Sequence, residues 1–182
     1  MESIVPQPLA AQRFAPFGDV IEARQSSALM INQGTSTRFH DLAAVDVGAE
    51  GGRALVNIFR ATPYPLPLVI RMMEKHPLGS QLFMPLQGQA YLVAVAPSSD
   101  QVTSSDISVF VAQGHQGVNF YPGTWHHPLL VLSGQQDFLV IDRGGAGENL
   151  IEHDLDTPLQ VKPGSLYPAT IADTSGQDAN IL

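Results

Sequence analysis

The sequence predicts an all-β fold in which two sheets close into a jelly-roll barrel. Its apolar runs are short, rich in Val, Ile, Leu and Phe, and bounded by turn residues, as is typical of strands. Fourteen prolines and sixteen glycines imply many turns, which favours a β-rich fold over a helical bundle. A chain of 182 residues, 44% hydrophobic and 14% charged, has the size and composition of one well-packed domain.

Eight predicted strands follow one another, separated by residues that favour turns. Pro77, Gly88, Gly114 and Gly134 stand between apolar runs, at a spacing that suits a barrel of short strands. The predicted strands are residues 53–59, 66–75, 81–86, 89–96, 107–112, 117–121, 125–132 and 137–142.

The remaining segments carry weaker patterns. Residues 8–17 and 42–47 are predicted to form short peripheral helices. The chain after residue 146 is sparse in periodicity and contains Gly, Ser, Asp and Asn. We therefore predict a single domain with its barrel core over about residues 5–155 and an extended C-terminal tail over residues 156–182.

Charge and cysteine content exclude several functions. A formal net charge of −8 makes binding to nucleic acid or to an anionic membrane improbable. The absence of cysteine excludes disulfides, thiolate metal sites and a cysteine nucleophile, and it favours the cytoplasm. No apolar stretch resembles a signal peptide or reaches the length of a membrane span. The expected partner is a small molecule, and an anionic one would need a local cation.

The strongest local pattern runs from Glu74 to Gly88. Glu74 and His76 are two residues apart, so on a strand both side chains point to the same face. Four residues separate His76 from Gln81, and six separate Gln81 from Gly88, which fits a corner followed by a second strand. If the corner folds the strands as a hairpin, Gln81 comes close to the face that carries Glu74 and His76.

A second pattern, Tyr121 to His127, is a Pro-Gly turn that leads into a strand opening with two histidines. Adjacent strand residues face opposite sides, so only one of His126 and His127 can face the barrel interior. One of the two histidines is therefore a site candidate.

Together the two patterns resemble the paired motifs of the cupin superfamily. The usual first motif is His-x-His, then Glu, then Gly, at the same spacing. Here Glu74 stands at the first His position and Gln81 at the Glu position. The usual second motif, Gly-x-x-His, corresponds to Gly123 and His126. The resemblance thus implies that Glu74, His76 and His126 are the catalytic residues, and that His127 supports the site or lies at an interface. The resemblance implies a cupin-type double-stranded β-helix with short peripheral helices.

Within that superfamily the chain resembles the ureidoglycolate lyases, over about residues 5–155 and in family order. The blocks that carry the resemblance are Phe14-Ala-Pro-Phe-Gly18-Asp19-Val-Ile21, Ile31-Asn32-Gln-Gly34, Arg38-Phe-His40-Asp41-Leu42, Arg60-Ala, His76-Pro-Leu-Gly79-Ser-Gln81, Gly117-Val-Asn119, Trp125-His-His-Pro128 and Ile141-Asp142-Arg143-Gly-Gly145. The resemblance implies an amidine-lyase that splits ureidoglycolate into glyoxylate and urea during allantoin (purine) degradation. It also implies a homodimer.

The reaction that the resemblance implies sets the chemistry expected of the site. Elimination needs a base for the hydroxyl proton, an acid for the departing nitrogen and a group that holds the carboxylate. A divalent metal, with nickel implied by the resemblance, would be held by Glu74, His76 and His126. Gln81 would be a weak fourth ligand, a hydrogen-bond donor or a structural residue. The residues equally allow a metal-free site in which Glu74 or a histidine is the base.

An anionic substrate in an acidic protein also needs a cation, and we expect Arg60 or Arg143 to hold the carboxylate. The basic residues on the predicted strand of Glu74 have the opposite parity and should face away. Gln81, Asn32 and His40 are further predicted substrate contacts. Two alternatives stay open: another metal-dependent cupin enzyme that acts on a small hydroxy acid, and a non-catalytic cupin that binds a small molecule.

Overall fold

The computed structural model describes residues 1–164. Within them the chain forms fifteen strands, one α-helix, α1 (Ala11–Phe14), and four short 3-10 turns. The strands are β1 (Glu2–Ile4), β2 (Gln7–Pro8), β3 (Gly18–Ile21), β4 (Ala28–Ile31), β5 (Ser36–Phe39), β6 (Arg53–Ala61), β7 (Val69–Lys75), β8 (Gln81–Pro85), β9 (Tyr91–Ala96), β10 (Ser108–Ala112), β11 (Gly117–Phe120), β12 (Trp125–His126), β13 (Leu130–Val131), β14 (Gln136–Gly144) and β15 (Ile151–Val161).

The strands assemble into two large sheets and a separate hairpin. The eight-stranded sheet has the order β1-β15-β7-β12-β9-β10-β2, with β13 also paired to β9. The five-stranded sheet has the order β3-β11-β8-β14-β6, and β4 pairs with β5 alone. Most pairings are antiparallel, but β1 and β2 join the larger sheet in parallel to β15 and β10. The predicted all-β, cupin-type barrel is confirmed.

The predicted central strands agree with the structure. Seven of the eight correspond to one strand each, namely β6 to β11 and β14. The segment 125–132 instead forms two short strands, β12 and β13, on either side of Pro128. Of the two predicted helices, only 8–17 contains one, the single turn of α1.

The helix predicted over residues 42–47 is wrong, because this segment has no regular structure. Its backbone is held by side chains instead. The Ala44 N–H donates to Asp19 Oδ2 over 3.2 Å, and Asn119 Nδ2 donates both to Ala44 O (3.0 Å) and to Asp19 (3.1 Å). Asn119 is fully buried, so this network stabilises the loop in place of helical hydrogen bonds.

The ordered barrel extends beyond the predicted boundary at residue 155. Strand β15 runs to Val161 and pairs antiparallel with β7 and parallel with β1. Its register shifts between Asp154 and Leu159, and this irregularity hides the alternation that would have revealed a strand. Leu155, Leu159 and Val161 are all buried. The rest of the predicted tail, from residue 165, lies outside the described residues.

Two apolar clusters hold the sheets in place. The first fills the space between the sheets and is rich in aromatic rings; Phe14 meets Phe110 edge to face at 5.6 Å, and Tyr91 meets Phe138 at 5.0 Å. The second lies on the opposite side of the eight-stranded sheet, around Trp125 and Met73. The larger sheet is therefore buried on both faces.

The inward positions of the five-stranded sheet change from apolar to polar along two strands. On β8, buried Phe83 is followed toward the strand start by Gln81, and on β14, buried Val140 is followed by Asp142. The core thus gives way to polar side chains in one part of the barrel interior. None of the helices in residues 1–164 has the length and apolar character of a membrane span.

Candidate active site

Glu74, His76 and His126 come together at the polar part of the barrel interior. Strand pairing places His126 of β12 directly opposite Glu74 of β7, and His126 Nε2 lies 3.5 Å from Glu74 Oε1. His76 follows the last residue of β7, and its ring centroid lies 5.2 Å from that of His126. One ligand atom of each residue lies within 4.8 Å of the others, so the group could hold a metal ion.

His76 is oriented by the chain segment before β15. Its Nδ1 contacts the carbonyl oxygen of Asn149, whose side-chain oxygen also accepts from the Leu78 N–H over 2.8 Å. With Nδ1 donating its proton to the carbonyl, Nε2 keeps its lone pair. The Nε2 atom is buried and has no hydrogen-bond partner within residues 1–164.

His126 has the same arrangement. Its Nδ1 lies 3.0 Å from the carbonyl oxygen of Thr124, and its ring stacks on Phe120 with centroids 4.4 Å apart. Its Nε2 is also buried without a hydrogen-bond partner among the described residues. A histidine that donates one ring N–H to a carbonyl and presents the other nitrogen unpartnered is typical of metal ligation, so both imidazoles fit a metal ion.

Burial and neighbouring charges set the protonation of the triad. Burial would raise the pKa of Glu74, but His126 and then His76 and His127 together lower it below its ordinary 4.5. Burial is also the main reason why the pKa of His76 is lowered, and the nearby His126 adds to the effect. The site therefore favours an ionised carboxylate beside a neutral His76, the forms in which both bind metals.

His127 lies close enough to the triad to affect Glu74, and it lines a small interior cavity with Phe83 and Phe120, so its predicted supporting or interface role stays a prediction. It is buried, its Nδ1 lies 2.8 Å from the Pro128 carbonyl oxygen, and its ring meets Tyr64 edge to face at 5.4 Å. Burial lowers the pKa of His127. This supports a packing role.

A cavity of about 570 Å³ opens beside the triad, large enough for a small organic acid. Polar and apolar side chains share its lining. The polar ones are Glu74, Gln81, Arg60 and Thr62, and the apolar ones include Phe59, Phe83 and Leu129. Gln81 is 6% exposed, and its Oε1 is buried without a hydrogen-bond partner in the described part of the chain.

Arg60, one of the two arginines predicted to hold the substrate carboxylate, lies at the rim of this cavity. Its guanidinium forms a two-point contact with Asp137, at 2.7 and 2.9 Å. The side chain is largely exposed, and Asp137 raises the pKa of Arg60. Arg60 would have to exchange this partner to bind a substrate carboxylate, so its substrate role stays a prediction.

Arg143, the other predicted arginine, is buried on the opposite face of β14 from Asp142. It donates to Ala49 O through Nε and Nη2, at 3.0 and 2.7 Å, and to Ala146 O at 2.9 Å. A Cβ atom at Gly79 or Gly52 would lie within 2.6 Å of this side chain, so both glycines make room for it. Arg143 therefore holds two loops together, and its predicted substrate contact stays untested.

Asn32 and His40 lie on the hairpin formed by β4 and β5, and neither lines the cavity. Asn32 occupies the turn with φ +53°, and its Nδ2 donates to Ser36 Oγ over 3.4 Å. The His40 backbone N–H donates to the Ser27 carbonyl oxygen over 2.9 Å. These contacts stabilise the hairpin, and the predicted substrate contacts of both residues remain predictions.

Comparison with known proteins shows which family the chain belongs to. The family model described as ureidoglycolate lyase matches residues 1–162. The chain belongs to the ureidoglycolate lyase family. The match runs through β15, so the family resemblance extends past the boundary near residue 155 that the sequence blocks suggested.

Individual relatives share about half of their residues with this chain. A ureidoglycolate lyase of Burkholderia mallei (strain NCTC 10229) is 50% identical over 91% of this chain and 97% of its own length. Those of Pseudomonas fluorescens and Azotobacter vinelandii are 48% and 51% identical, over 84% and 81% of this chain and 92% and 89% of their own lengths. These similarities do not favour the hydroxy-acid enzyme or the non-catalytic cupin.

Two polar residues of the interior were not singled out from the sequence. Asn57 of β6 donates from Nδ2 to Asp142 Oδ1 of β14 over 3.0 Å. Burial raises the pKa of Asp142, although the nearby Gln81, His76 and Asn57 oppose the rise. Alternation along β14 gives Asp142 the same face as Phe138 and Val140, but Leu139 and Ile141 make the other face apolar as well, so the sequence does not show which face is buried.

Proposed function

We propose that this protein is a ureidoglycolate lyase, which cleaves ureidoglycolate into glyoxylate and urea. The observation that carries the proposal is the cluster of Glu74, His76 and His126 beside a cavity, in a chain of the ureidoglycolate lyase family. The substrate is a hemiaminal whose central carbon bears a hydroxyl, a carboxylate and a ureido nitrogen. Its cleavage needs no attacking water and no covalent intermediate with the protein.

The reaction breaks the O–H bond of the hydroxyl and the C–N bond, and it forms the second C–O bond and a new N–H bond. A base removes the hydroxyl proton, the O–H electron pair becomes the second C–O bond of glyoxylate, and the C–N pair leaves with the nitrogen. That nitrogen takes up a proton to give urea. The site must therefore stabilise negative charge on the hydroxyl oxygen and hold the carboxylate still.

Glu74, His76 and His126 would hold a divalent ion, since both histidines offer an unpartnered nitrogen near an ionised carboxylate. Such an ion would supply Lewis acidity to the carboxylate and hydroxyl oxygens of the substrate. We propose nickel, which suits imidazole nitrogen and carboxylate oxygen. Gln81 is placed to support the ion weakly or to donate a hydrogen bond.

Glu74 supplies the negative charge of the site, and its lowered pKa keeps it ionised at neutral pH. In the metal-free alternative Glu74 accepts the hydroxyl proton itself, with the imidazoles of His76 and His126 beside it. The two alternatives share the same residues and differ in whether a chelator abolishes the reaction.

We also propose that the protein is a homodimer. Strand β6 is an edge of the five-stranded sheet, and its Val56 and Ile58 are 71% and 56% exposed. An edge strand with exposed apolar side chains is usually covered in a folded protein, and a second copy would cover it. Sedimentation should show a dimer that Val56→Asp dissociates; a monomer at micromolar concentration would contradict the proposal. A cytoplasmic location and the lack of nucleic-acid or membrane partners stay predictions from composition.

The direct test of the activity uses purified protein and racemic ureidoglycolate, with urea and glyoxylate measured separately. We expect both products in equal amounts, with at most half of the racemate consumed if one enantiomer is accepted. The assay is run as purified and with added nickel or manganese. Failure to release either product under all three conditions would contradict the proposal.

A further inference from the structure

Three polar side chains form a patch on the interior wall opposite β7. They are Asn57 of β6, Asp142 of β14 and Gln81 of β8, which lie on three adjacent strands of the five-stranded sheet. The pairing of Leu82 with Ile141 brings Gln81 opposite Asp142 at the next position, and Asn57 lies diagonally across from Asp142. We call these three residues the amide patch.

The amide patch points into the barrel. Gln81 and Asp142 occupy the inward positions that follow the buried residues Phe83 and Val140. Gln81 also lines the cavity that Glu74 reaches from the other sheet. The patch and the metal-binding triad therefore lie on two different sheets, with Gln81 and Glu74 both at the same cavity.

The patch holds polar atoms that fit a ligand. The Asn57 amide donates to Asp142 Oδ1 and so fixes the carboxylate. Gln81 is more than nine-tenths buried, and its Oε1 has no hydrogen-bond partner within residues 1–164. A buried amide oxygen without a partner is unfavourable by about 1–3 kcal/mol, so such groups are usually satisfied by water or a ligand.

The chemistry of the patch is that of a receptor for N–H donors. A carboxylate accepts two hydrogen bonds side by side, and the unpartnered Gln81 oxygen accepts a third. A ureido group offers N–H donors from two neighbouring nitrogens, at a spacing that matches the two oxygens of a carboxylate. A second carboxylate would be repelled there by Asp142.

We propose that Asn57, Asp142 and Gln81 recognise the ureido group of the substrate, and that Asp142 is the main specificity-determining residue. This inference rests on the proposed function and deepens it. The carboxylate and hydroxyl of the substrate lie toward Glu74, His76 and His126, and the ureido end lies toward Asp142. An analogue without N–H donors leaves Asp142 and Gln81 unpaired and is rejected for that reason.

The test compares two small inhibitors by calorimetry, so that it does not depend on turnover. Oxalurate carries both a ureido group and a carboxylate, whereas oxalate carries carboxylates alone. The loss of a charged hydrogen-bond acceptor is worth about 1.5–3 kcal/mol, so Asp142→Asn should weaken oxalurate binding about 10- to 100-fold. Oxalate binding should not weaken in this variant, since oxalate makes no N–H contact and loses its repulsion from the Asp142 carboxylate.

Asp156→Asn is the matched control, because Asp156 is an exposed carboxylate on β15 of the eight-stranded sheet and does not line this cavity. It should leave both affinities within about twofold, as expected for an exposed charge. Asn57→Ala is a second variant, which removes the amide that orients Asp142 and should weaken oxalurate binding selectively. Unchanged oxalurate affinity in Asp142→Asn, or equal weakening for both inhibitors, would overturn the inference.

Different experimental results would contradict this inference and the proposed function. Wild-type protein that binds oxalurate in an Asp142-dependent way but releases no urea would contradict the lyase and keep the recognition. Wild-type protein that cleaves ureidoglycolate, with oxalurate affinity insensitive to Asp142→Asn, would keep the lyase and contradict the recognition.

Discussion

The two sheets of the barrel present different chemistry to the same interior. The eight-stranded sheet brings Glu74 and His126 together, and His76 follows β7 directly. The five-stranded sheet contributes the amides of Asn57 and Gln81 around Asp142. Each sheet contributes one of these two carboxylates. Imidazoles surround Glu74 of the larger sheet, and amides surround Asp142 of the smaller sheet.

This difference in neighbours gives the two carboxylates opposite properties. Burial acts on both, yet the imidazoles lower the pKa of Glu74 below its ordinary value, whereas the pKa of Asp142 is raised. At Glu74 the neighbouring imidazoles outweigh burial, whereas at Asp142 the combined effect of Gln81, His76 and Asn57 does not. This difference fits the proposed roles of the two sheets, in which the larger sheet binds the reacting atoms of the substrate and the smaller sheet binds its ureido group.

The largest expected effect comes from the eight-stranded sheet. Glu74→Gln and His126→Ala should each lower kcat/KM by about 10²–10⁴, as expected when a proton acceptor or a ligand at the reacting atoms is lost. Steady-state kinetics with ureidoglycolate measures this directly. Near-normal activity in both variants, or an equal loss of kcat in Asp142→Asn, would break the division between the two sheets.

The second-largest expected effect is the loss of activity on metal removal, which also concerns Glu74, His76 and His126. If Glu74, His76 and His126 hold a metal ion, chelation should lower kcat by at least about 10²-fold, since the Lewis acidity that the ion would supply is lost, and added nickel should restore kcat. Elemental analysis before and after chelation gives the metal content. Full activity in protein shown to be metal-free would assign the base to Glu74 or a histidine and leave the reaction class unchanged.

The two arginines beside the smaller sheet should differ in their effect on stability. Arg143→Met removes buried charged hydrogen bonds and should lower the free energy of unfolding by about 1.5–3 kcal/mol. Arg60→Met removes an exposed ion pair and should change it by less than about 1 kcal/mol. Urea denaturation of both variants provides the measurement. A larger loss in Arg60→Met would contradict the structural role assigned to Arg143.

The smallest expected effect is the pH dependence of stability in metal-free protein. The folded pKa of Glu74 is lowered, so its stabilisation is present above pH 4.5 and is lost as the pH falls through the folded pKa. Glu74→Gln should therefore melt lower than wild type at neutral pH, with the gap closing in acid. The folded pKa of Asp142 is raised above 3.8, so the wild type loses stability as the pH rises through these values.

Asp142→Asn should accordingly melt slightly higher than wild type at neutral pH, and the advantage should vanish below about pH 4, near the ordinary aspartate pKa. Melting temperatures recorded across the pH range give the sign for each variant. Shifts of the same sign in Glu74→Gln and Asp142→Asn would contradict the opposite environments of the two carboxylates.

Local sequence patterns predicted the central strands because each apolar run is short and ends at proline or glycine. The peripheral strands could not be predicted in this way. Strands β1 and β2 contain few apolar residues and are ordered by parallel pairing to β15 and β10, which lie more than a hundred residues along the chain. The bulge between Asp154 and Leu159 concealed β15 for a similar reason, since its alternation is broken.

In the candidate site, too, local sequence patterns predicted some features and missed others. The spacing of Glu74, His76 and His126 resembles the cupin motifs, so the sequence by itself predicted these three residues as a candidate metal site and predicted the barrel that carries them. Only the tertiary structure decided that Arg143 holds loops and that Asp142 faces the interior. Neighbouring residues of a strand face opposite sides, and which side is buried depends on the sheet that packs against it. Local residue spacing therefore predicts which side chains can act as ligands. The contacts that each side chain makes depend instead on strands that are distant in sequence.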